Sequence, residues 1–219
     1  MREANVAKRP ASRPTLVLLV RHGKTPTTGA KLPGRAPGLH LAEEGIAQAE
    51  AAAARVAELD RVAAVYASPL ERTRETAKPI AKAAGVRVRT DDGLLELDVG
   101  DWTEKRLSDL RRRKEWTTVQ RYPSGFTFPG GESFGAMQQR ITGTLRRLVA
   151  AHPGETIVAV SHADPIRAAV ADAMGTHLDL FQRIVVGPCS ISGLLYTAGG
   201  PIVLAVNTNG GSLKGMTPA

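Results

Sequence analysis

Residues 16–23 read Leu-Val-Leu-Leu-Val-Arg-His-Gly, an apolar run that stops abruptly at Arg21-His22-Gly23. A short hydrophobic run without polar alternation, bounded by a turn residue, reads as a strand buried on both faces, the kind found in parallel sheets. Nothing about such a strand calls for an arginine beside a histidine at its end. Open α/β sheets, however, bind their ligands outside the carboxyl ends of the strands. The same arrangement recurs at Thr156-Ile-Val-Ala-Val-Ser-His162, so two of the five histidines stand where buried strands are expected to end. One shared site is the simplest reading.

Apolar runs at 15–20, 62–67 and 156–161 alternate with longer helical patterns, which predicts a layered α/β fold. The alanine-rich stretch 43–59 is a strong helix former, with Glu43 and Glu44 placed to favour its dipole. A second helix is expected over 70–84, opened by Pro69 and closed by Gly85, and a short edge strand over 86–89. Residues 105 to about 120 read as a charged helical insertion, and 133–152 as a long helix ended by Pro153-Gly154. Asp164 reads as the cap of the next helix, with Pro165 in first position. Residues 190–196 and 202–206, around Gly199-Gly200, read as an antiparallel hairpin at a sheet edge. The Gly/Pro-rich stretch 23–40 directly follows Arg-His, and loops this long in compact domains are usually functional.

The chain has 219 residues, 42% hydrophobic and 23% charged, which suits one soluble domain over 14–208. Residues 1–13 read as a disordered basic tail and 209–219 as a flexible C-terminal tail. The net charge of +8 is uneven: the first 14 residues carry +3 and Lys214 another +1, leaving +4 for the body. Together with Arg111-Arg112-Arg113-Lys114 the tail could bind nucleic acid. With only 4% aromatics and no aromatic–basic interleaving, solvated charge is the better reading. A basic balance also suits a small anionic substrate. The single cysteine, Cys189, excludes an intramolecular disulfide and suits a reducing cytosol. Leu195 stands where a cysteine-nucleophile phosphatase loop would place an arginine, so Cys189 reads as a small buried residue. No apolar run approaches the roughly 20 residues of a membrane span. A cytoplasmic location without membrane association is expected; oligomeric state is unreadable, and a homodimer stays open.

Arg21-His22-Gly23 followed by Thr25 resembles the signature of the histidine phosphatase superfamily, which includes cofactor-dependent phosphoglycerate mutases. The resemblance continues through Gly34-Arg35, residues 41–49, Ser68-Pro-Leu-Glu-Arg72, Leu95-Glu-Leu-Asp-Val-Gly-Asp-Trp102, Pro129-Gly-Gly-Glu-Ser133 and Val160-Ser-His-Ala-Asp-Pro-Ile-Arg167. It covers about residues 15–208 in the family's order. It implies a phosphoglycerate mutase-like α/β fold: a three-layer α/β/α sandwich with a mostly parallel central sheet and an antiparallel edge strand. It further implies a metal-independent phosphomonoesterase of the histidine acid phosphatase type, needing no cofactor. His22 would become a phosphohistidine; Arg21, Arg72 and His162 would bind the phosphoryl group; Glu96 would act as acid and base. Thr28, Arg35 and Ala163 would contact the substrate.

Those residue types fit the chemistry. A phosphoryl group in transfer spreads charge over its equatorial oxygens, so catalysis is largely positioning and electrostatic stabilisation. Arginines supply fixed charge and forked hydrogen bonds. An attacking imidazole must be bare at the attacking nitrogen and held at the other. A carboxyl group must protonate the departing alkoxide and later take a proton from water. Glu96 follows apolar Leu94-Leu95, a setting that raises a carboxyl pKa. His40, His152 and His177 read as loop or helix-end residues.

The chain also departs from the family pattern. Thr28 stands where many relatives carry asparagine, and Ala163-Asp164 where one or two glycines commonly follow the second histidine. Ala42 replaces a threonine often found at its helix start. Asp164, were it to point inward, would repel a phosphate, so it is assigned to capping. Two alternatives remain: a cofactor-dependent phosphoglycerate mutase-type phosphotransferase, and a catalytically weak member that only binds a phosphorylated ligand. Because no metal-ligand spacing occurs, chelators are expected to leave turnover of an aryl phosphate intact. A loss that added metal restores would contradict the metal-free mechanism.

Overall fold

The computed structural model describes residues 13–217. The basic tail expected over 1–13 lies, apart from Arg13, outside the described residues. In chain order the elements are β1 (Thr15–Arg21), β2 (Lys31–Leu32), α1 (Glu43–Val56), β3 (Ala64–Ala67), α2 (Glu71–Ala83), β4 (Val88–Thr90), β5 (Lys105–Arg106), α3 (Leu107–Leu110), α4 (Glu115–Arg121), α5 (Phe134–Ala151), β6 (Thr156–Ser161), α6 (Ala163–Ala173), β7 (Ile191–Thr197) and β8 (Gly200–Thr208).

Six strands form one sheet in the order β4-β3-β6-β1-β7-β8. β1 pairs in parallel with β6 and antiparallel with β7. The lone antiparallel strand is therefore β7, and β8 forms the edge beyond it. Successive side chains of a strand point to opposite faces. Leu16, Leu18 and Val20 accordingly pack with Ala49, Ala53, Ala77 and Ile80 of α1 and α2. Val17 and Leu19 pack with Met137, Ile141, Ile166 and Val170 of α5 and α6. Helices thus cover both faces of a mostly parallel sheet, the three-layer α/β/α arrangement. The unalternating run of β1 is what such double burial demands.

Register brings the two histidines together. Arg21 lies opposite Ser161, and the His22 amide donates to the Ser161 carbonyl at 3.0 Å. Both strands therefore end level, with His22 and His162 side by side.

Three expectations need correction. The segment 105–120 is broken into β5, α3 and α4, because β5 pairs with β2 from the 23–40 loop. Aromatic packing then overrides the charged helical pattern, with Trp116 stacked on Trp102 at 6.3 Å and the Arg113 guanidinium over the same ring. Asp164 does not cap α6. His162 leaves the strand in an extended conformation and is itself the cap residue; Asp164 sits inside the helix and accepts from Arg167 at 3.0 Å. Residues 209–217, expected to be a loose tail, pack onto the domain. The Arg55 guanidinium holds the carbonyls of Thr208, Gly210 and Gly211, and Leu213 is fully buried against the α1 side.

Among the described residues no helix is long and apolar enough to cross a membrane. Leu213→Ala should cost about 2–5 kcal/mol, the usual range for a fully buried leucine. Urea unfolding at constant m-value reads this directly, and a cost near zero would mean that the segment is not part of the folding unit.

Candidate active site

His22 leaves β1 at a point where the backbone is gripped from both sides. The Gly23 amide donates to Thr76 Oγ1 at 3.0 Å, and a Cβ on Gly23 would fall 2.5 Å from the Gly45 carbonyl oxygen. Only glycine allows the start of α1 to come this close to the strand exit. His22 Nδ1 lies 2.8 Å from the Gly23 carbonyl oxygen. A carbonyl can only accept, so Nδ1 carries the proton and Nε2 presents a bare lone pair. Burial first, then the charges of Arg72 and Arg21, push the ring pKa down to about 3. The imidazole is neutral at any ordinary pH.

Around it stand cations without counter-ions in hydrogen-bond contact. Arg72, on the first turn of α2, is fully buried; its Nη2 donates to the Gly34 carbonyl at 2.8 Å, while Nε and Nη1 have no partner. Arg21 Nη1 donates to the Val186 carbonyl at 2.7 Å, and its Nε is buried and unpartnered. His162, fully buried, has its ring centroid 5.2 Å from that of His22. Its Nε2 lies 2.9 Å from the Ser68 hydroxyl, and its Nδ1 has no partner. The ring is held neutral, its pKa well below the usual histidine value through burial and then the charge of Arg72. The contact with Ser68 fits either tautomer; in the one where the Ser68 hydroxyl donates to Nε2, Nδ1 carries the proton as an unpartnered donor. Buried polar atoms are almost always paired, so orphans on three side chains around one bare imidazole nitrogen describe a site shaped for an anion.

Glu96 closes the pocket. Its Oε2 lies 3.9 Å from His162 Nδ1, and its Oε1 accepts from the Leu97 amide at 3.0 Å. Burial first, then the Asp164 carboxylate, raises its pKa to about 7; the Leu97 amide, Arg72 and Arg21 pull the other way. The loop carrying Glu96 is clamped by two further arginines. Arg140 Nη1 donates to the Gly93 and Leu95 carbonyls, and Arg35 Nε to the Glu96 carbonyl at 2.8 Å. Both guanidinium groups converge on Glu132 Oε1, which also accepts from the Asp98 amide.

The structure therefore brings His22, Arg21, Arg72, His162 and Glu96 to one place. Ala163 opens α6 next to His162, where a first-turn amide has no intrahelical acceptor. Arg35, expected to contact the substrate, has its guanidinium engaged with the Glu96 carbonyl and with Glu132. Thr28, expected to do the same, has its hydroxyl accepting from the Thr25 amide inside a tight turn. Ser68, Glu132, Arg140 and the carbonyls of Gly34 and Val186 were not singled out as site residues. Among the described residues no group of three or more His, Cys, Asp or Glu could hold a metal ion. Two surface hollows of about 640 and 670 Å³ lie elsewhere, one beside Arg61 and Glu155 and one beside His40 and Lys78.

The family model of the histidine phosphatase superfamily (branch 1) matches residues 17–209. A bifunctional protein of Mycobacterium tuberculosis is 33% identical over 205 residues, covering 90% of this chain but 55% of that protein. The chain thus spans about half the length of this relative. Phosphoserine phosphatase 1 of Hydrogenobacter thermophilus is 33% identical over 176 residues, covering 75% of this chain and 79% of the relative. Curated relatives also include probable phosphoglycerate mutases. Among solved structures, a mycobacterial glucosyl-3-phosphoglycerate phosphatase superposes with a TM-score of 0.80 at 23% identity, covering 90% of this chain and all of that one; it speaks for the fold alone.

Glu132→Ala should loosen the clamp and lower kcat for alkyl phosphates by about 10–100-fold, as small displacements of a catalytic group do. The loss should be smaller for aryl phosphates, whose leaving group needs no proton, with circular dichroism unchanged. Equal losses for both ester types would make the role of Glu132 purely structural.

Proposed function

The chain belongs to the histidine phosphatase superfamily, and on that premise we propose that it hydrolyses small phosphomonoesters through a phosphohistidine on His22. The observation that carries this reading is the meeting of a bare, neutral His22 Nε2 with the unpartnered nitrogens of Arg21, Arg72 and His162.

The phosphoryl oxygens take up those donors, which fixes phosphorus against Nε2. As the P–N bond forms, the P–O ester bond breaks, and Glu96 passes its proton to the departing alkoxide. The arginines hold the charge of the three equatorial oxygens throughout. Water enters in place of the alcohol; the Glu96 carboxylate takes its proton as oxygen attacks phosphorus, and the P–N bond breaks. Inorganic phosphate leaves and both side chains return to their starting states. No step needs a metal.

Hydrolysis is favoured over return of the phosphoryl group to a bound acid. A mutase has to hold a second phosphate, and two of the insertion's cations are engaged elsewhere: Arg112 pairs with Asp109 and Arg113 lies over Trp102. A relative named for phosphoserine, 33% identical, supports a small phosphorylated metabolite as the substrate class. The lone free, buried cysteine suits a reducing compartment, and we assign the protein to the cytoplasm.

His22→Ala should abolish turnover of aryl phosphates, and activity retained within about tenfold would exclude His22 as nucleophile. Glu96→Gln should slow alkyl esters by about 10²–10⁴-fold and aryl esters far less. The acid form of Glu96 is present below its raised pKa of about 7, so kcat for alkyl esters should fall as pH rises through that value. Glu96→Gln should lack this limb, and a limb that persists in the variant would move the acid role to a neighbour.

A further inference from the structure

The first two turns of α6 carry two charges that the steps above do not use. Asp164 and Arg167 stand one turn apart and form an ion pair at 3.0 Å, with about a quarter of each side chain exposed. The pair lies at the rim of the phosphoryl pocket, since α6 begins directly after His162. Both charges are felt inside it. The Asp164 carboxylate raises the proton affinity of Glu96 and of Arg21, and Arg167 lowers that of Arg21. The hydrogen bond between them uses one guanidinium nitrogen and one carboxylate oxygen, and Arg167 Nε is buried without any partner.

His162 holds the N-cap position without a side-chain cap hydrogen bond, and Asp164 in the first turn accepts from Arg167 instead of capping a backbone amide. A partly exposed ion pair adds little stability. A carboxylate beside a pocket for a phosphate dianion works against substrate binding unless a positive group of the substrate lies against it. A dianionic leaving group would be attracted by Arg167 and repelled by Asp164. A neutral polyol would leave both charges idle. A leaving group carrying one ammonium and one carboxylate satisfies both, because each partner keeps unused atoms while the pair stays intact.

We propose that Asp164 and Arg167 form a leaving-group subsite for a zwitterion, so that the preferred esters are phosphorylated α-amino acids. The proposal rests on the hydrolase reading and narrows its substrate class. Asp164 would receive the ammonium group and Arg167 the carboxylate.

Two esters isolate the ammonium contact: O-phosphoserine and 3-phosphoglycerate differ at C2 by an ammonium against a hydroxyl. O-phosphoethanolamine, which lacks the carboxylate, isolates the other contact. Values of kcat/KM for these three esters and p-nitrophenyl phosphate are to be measured for the wild type, Asp164→Asn and Arg167→Gln. The wild type should prefer O-phosphoserine over 3-phosphoglycerate by about tenfold or more, the scale of one charge-assisted contact. Asp164→Asn should bring that ratio close to one. Arg167→Gln should do the same to the ratio of O-phosphoserine to O-phosphoethanolamine. Ratios within each variant cancel any change in Glu96 common to all esters. Calorimetry on His22→Ala, which cannot form the intermediate, reads the same preference as a ratio of Kd values and does not depend on turnover. Turnover of p-nitrophenyl phosphate with flat ratios in the wild type, or ratios that survive both substitutions, would overturn the subsite alone. Absence of turnover on every ester would remove the hydrolase reading, and the subsite with it.

Discussion

Positive charge enclosed away from water and denied a counter-ion is unfavourable, and this protein gathers such charge at one point. Arg72 is wholly buried with two unpartnered nitrogens, and Arg21 adds another. What holds them is backbone: the Gly34 carbonyl grips one end of Arg72 and the Val186 carbonyl one end of Arg21. Each guanidinium is thereby aimed by a neutral dipole that leaves its remaining donors uncommitted. A carboxylate in direct contact would have satisfied them and closed the site to phosphate. The cost of these orphans is recovered when an anion binds, since any ligand taken up only by the folded state stabilises it.

The same enclosure sets the two proton-handling groups. In water a histidine is neutral above pH 6.5 and a glutamate protonated below pH 4.5, so the pair the reaction needs scarcely coexists. Here the order is reversed. Burial and the two arginines hold His22 neutral down to about pH 3, while burial and Asp164 hold the Glu96 proton up to about pH 7. Desolvation disfavours whichever form is charged, and it therefore moves a base down and an acid up. The arginines lower both groups, so Glu96 rises only because burial and Asp164 outweigh them. That balance gives Asp164 a bearing on the chemistry as well as on the leaving group.

Much of this was legible in the sequence, and the limit has a physical cause. β1 and β6 show themselves because burial on both faces forces an unbroken apolar run, and the histidines at their ends break that pattern. Arg72 and Glu96 came from the resemblance, not from periodicity. What stayed hidden are partnerships across long stretches of chain. Nothing local tells that Arg35 and Arg140 will share Glu132, or that Ser68 will steady His162. The Gly/Ser-rich composition of 209–217 predicts looseness, and one leucine and the Arg55 hydrogen bonds override it. Asp164 beside a proline looks like a cap, yet the strand runs straight into the helix and leaves that position to His162.

The two ends of the site are built on different footings. The phosphoryl end rests on β1, β6 and the first turn of α2, elements locked into one sheet and its covering helices. The leaving-group end is bordered by the Glu96 loop and by a partly buried ion pair, with about a quarter of each side chain exposed. A change in the first group disturbs a packed core; a change in Asp164 or Arg167 leaves that core in place and alters the charge offered to the incoming ester and, through Asp164, the proton affinity of Glu96. In packing, substitution is therefore cheap at the rim and costly at the nucleophile. On the proposed reading, substrate choice can drift on such a frame while the phosphohistidine chemistry stays in place, because the residues proposed to choose are not the ones that hold the sheet together.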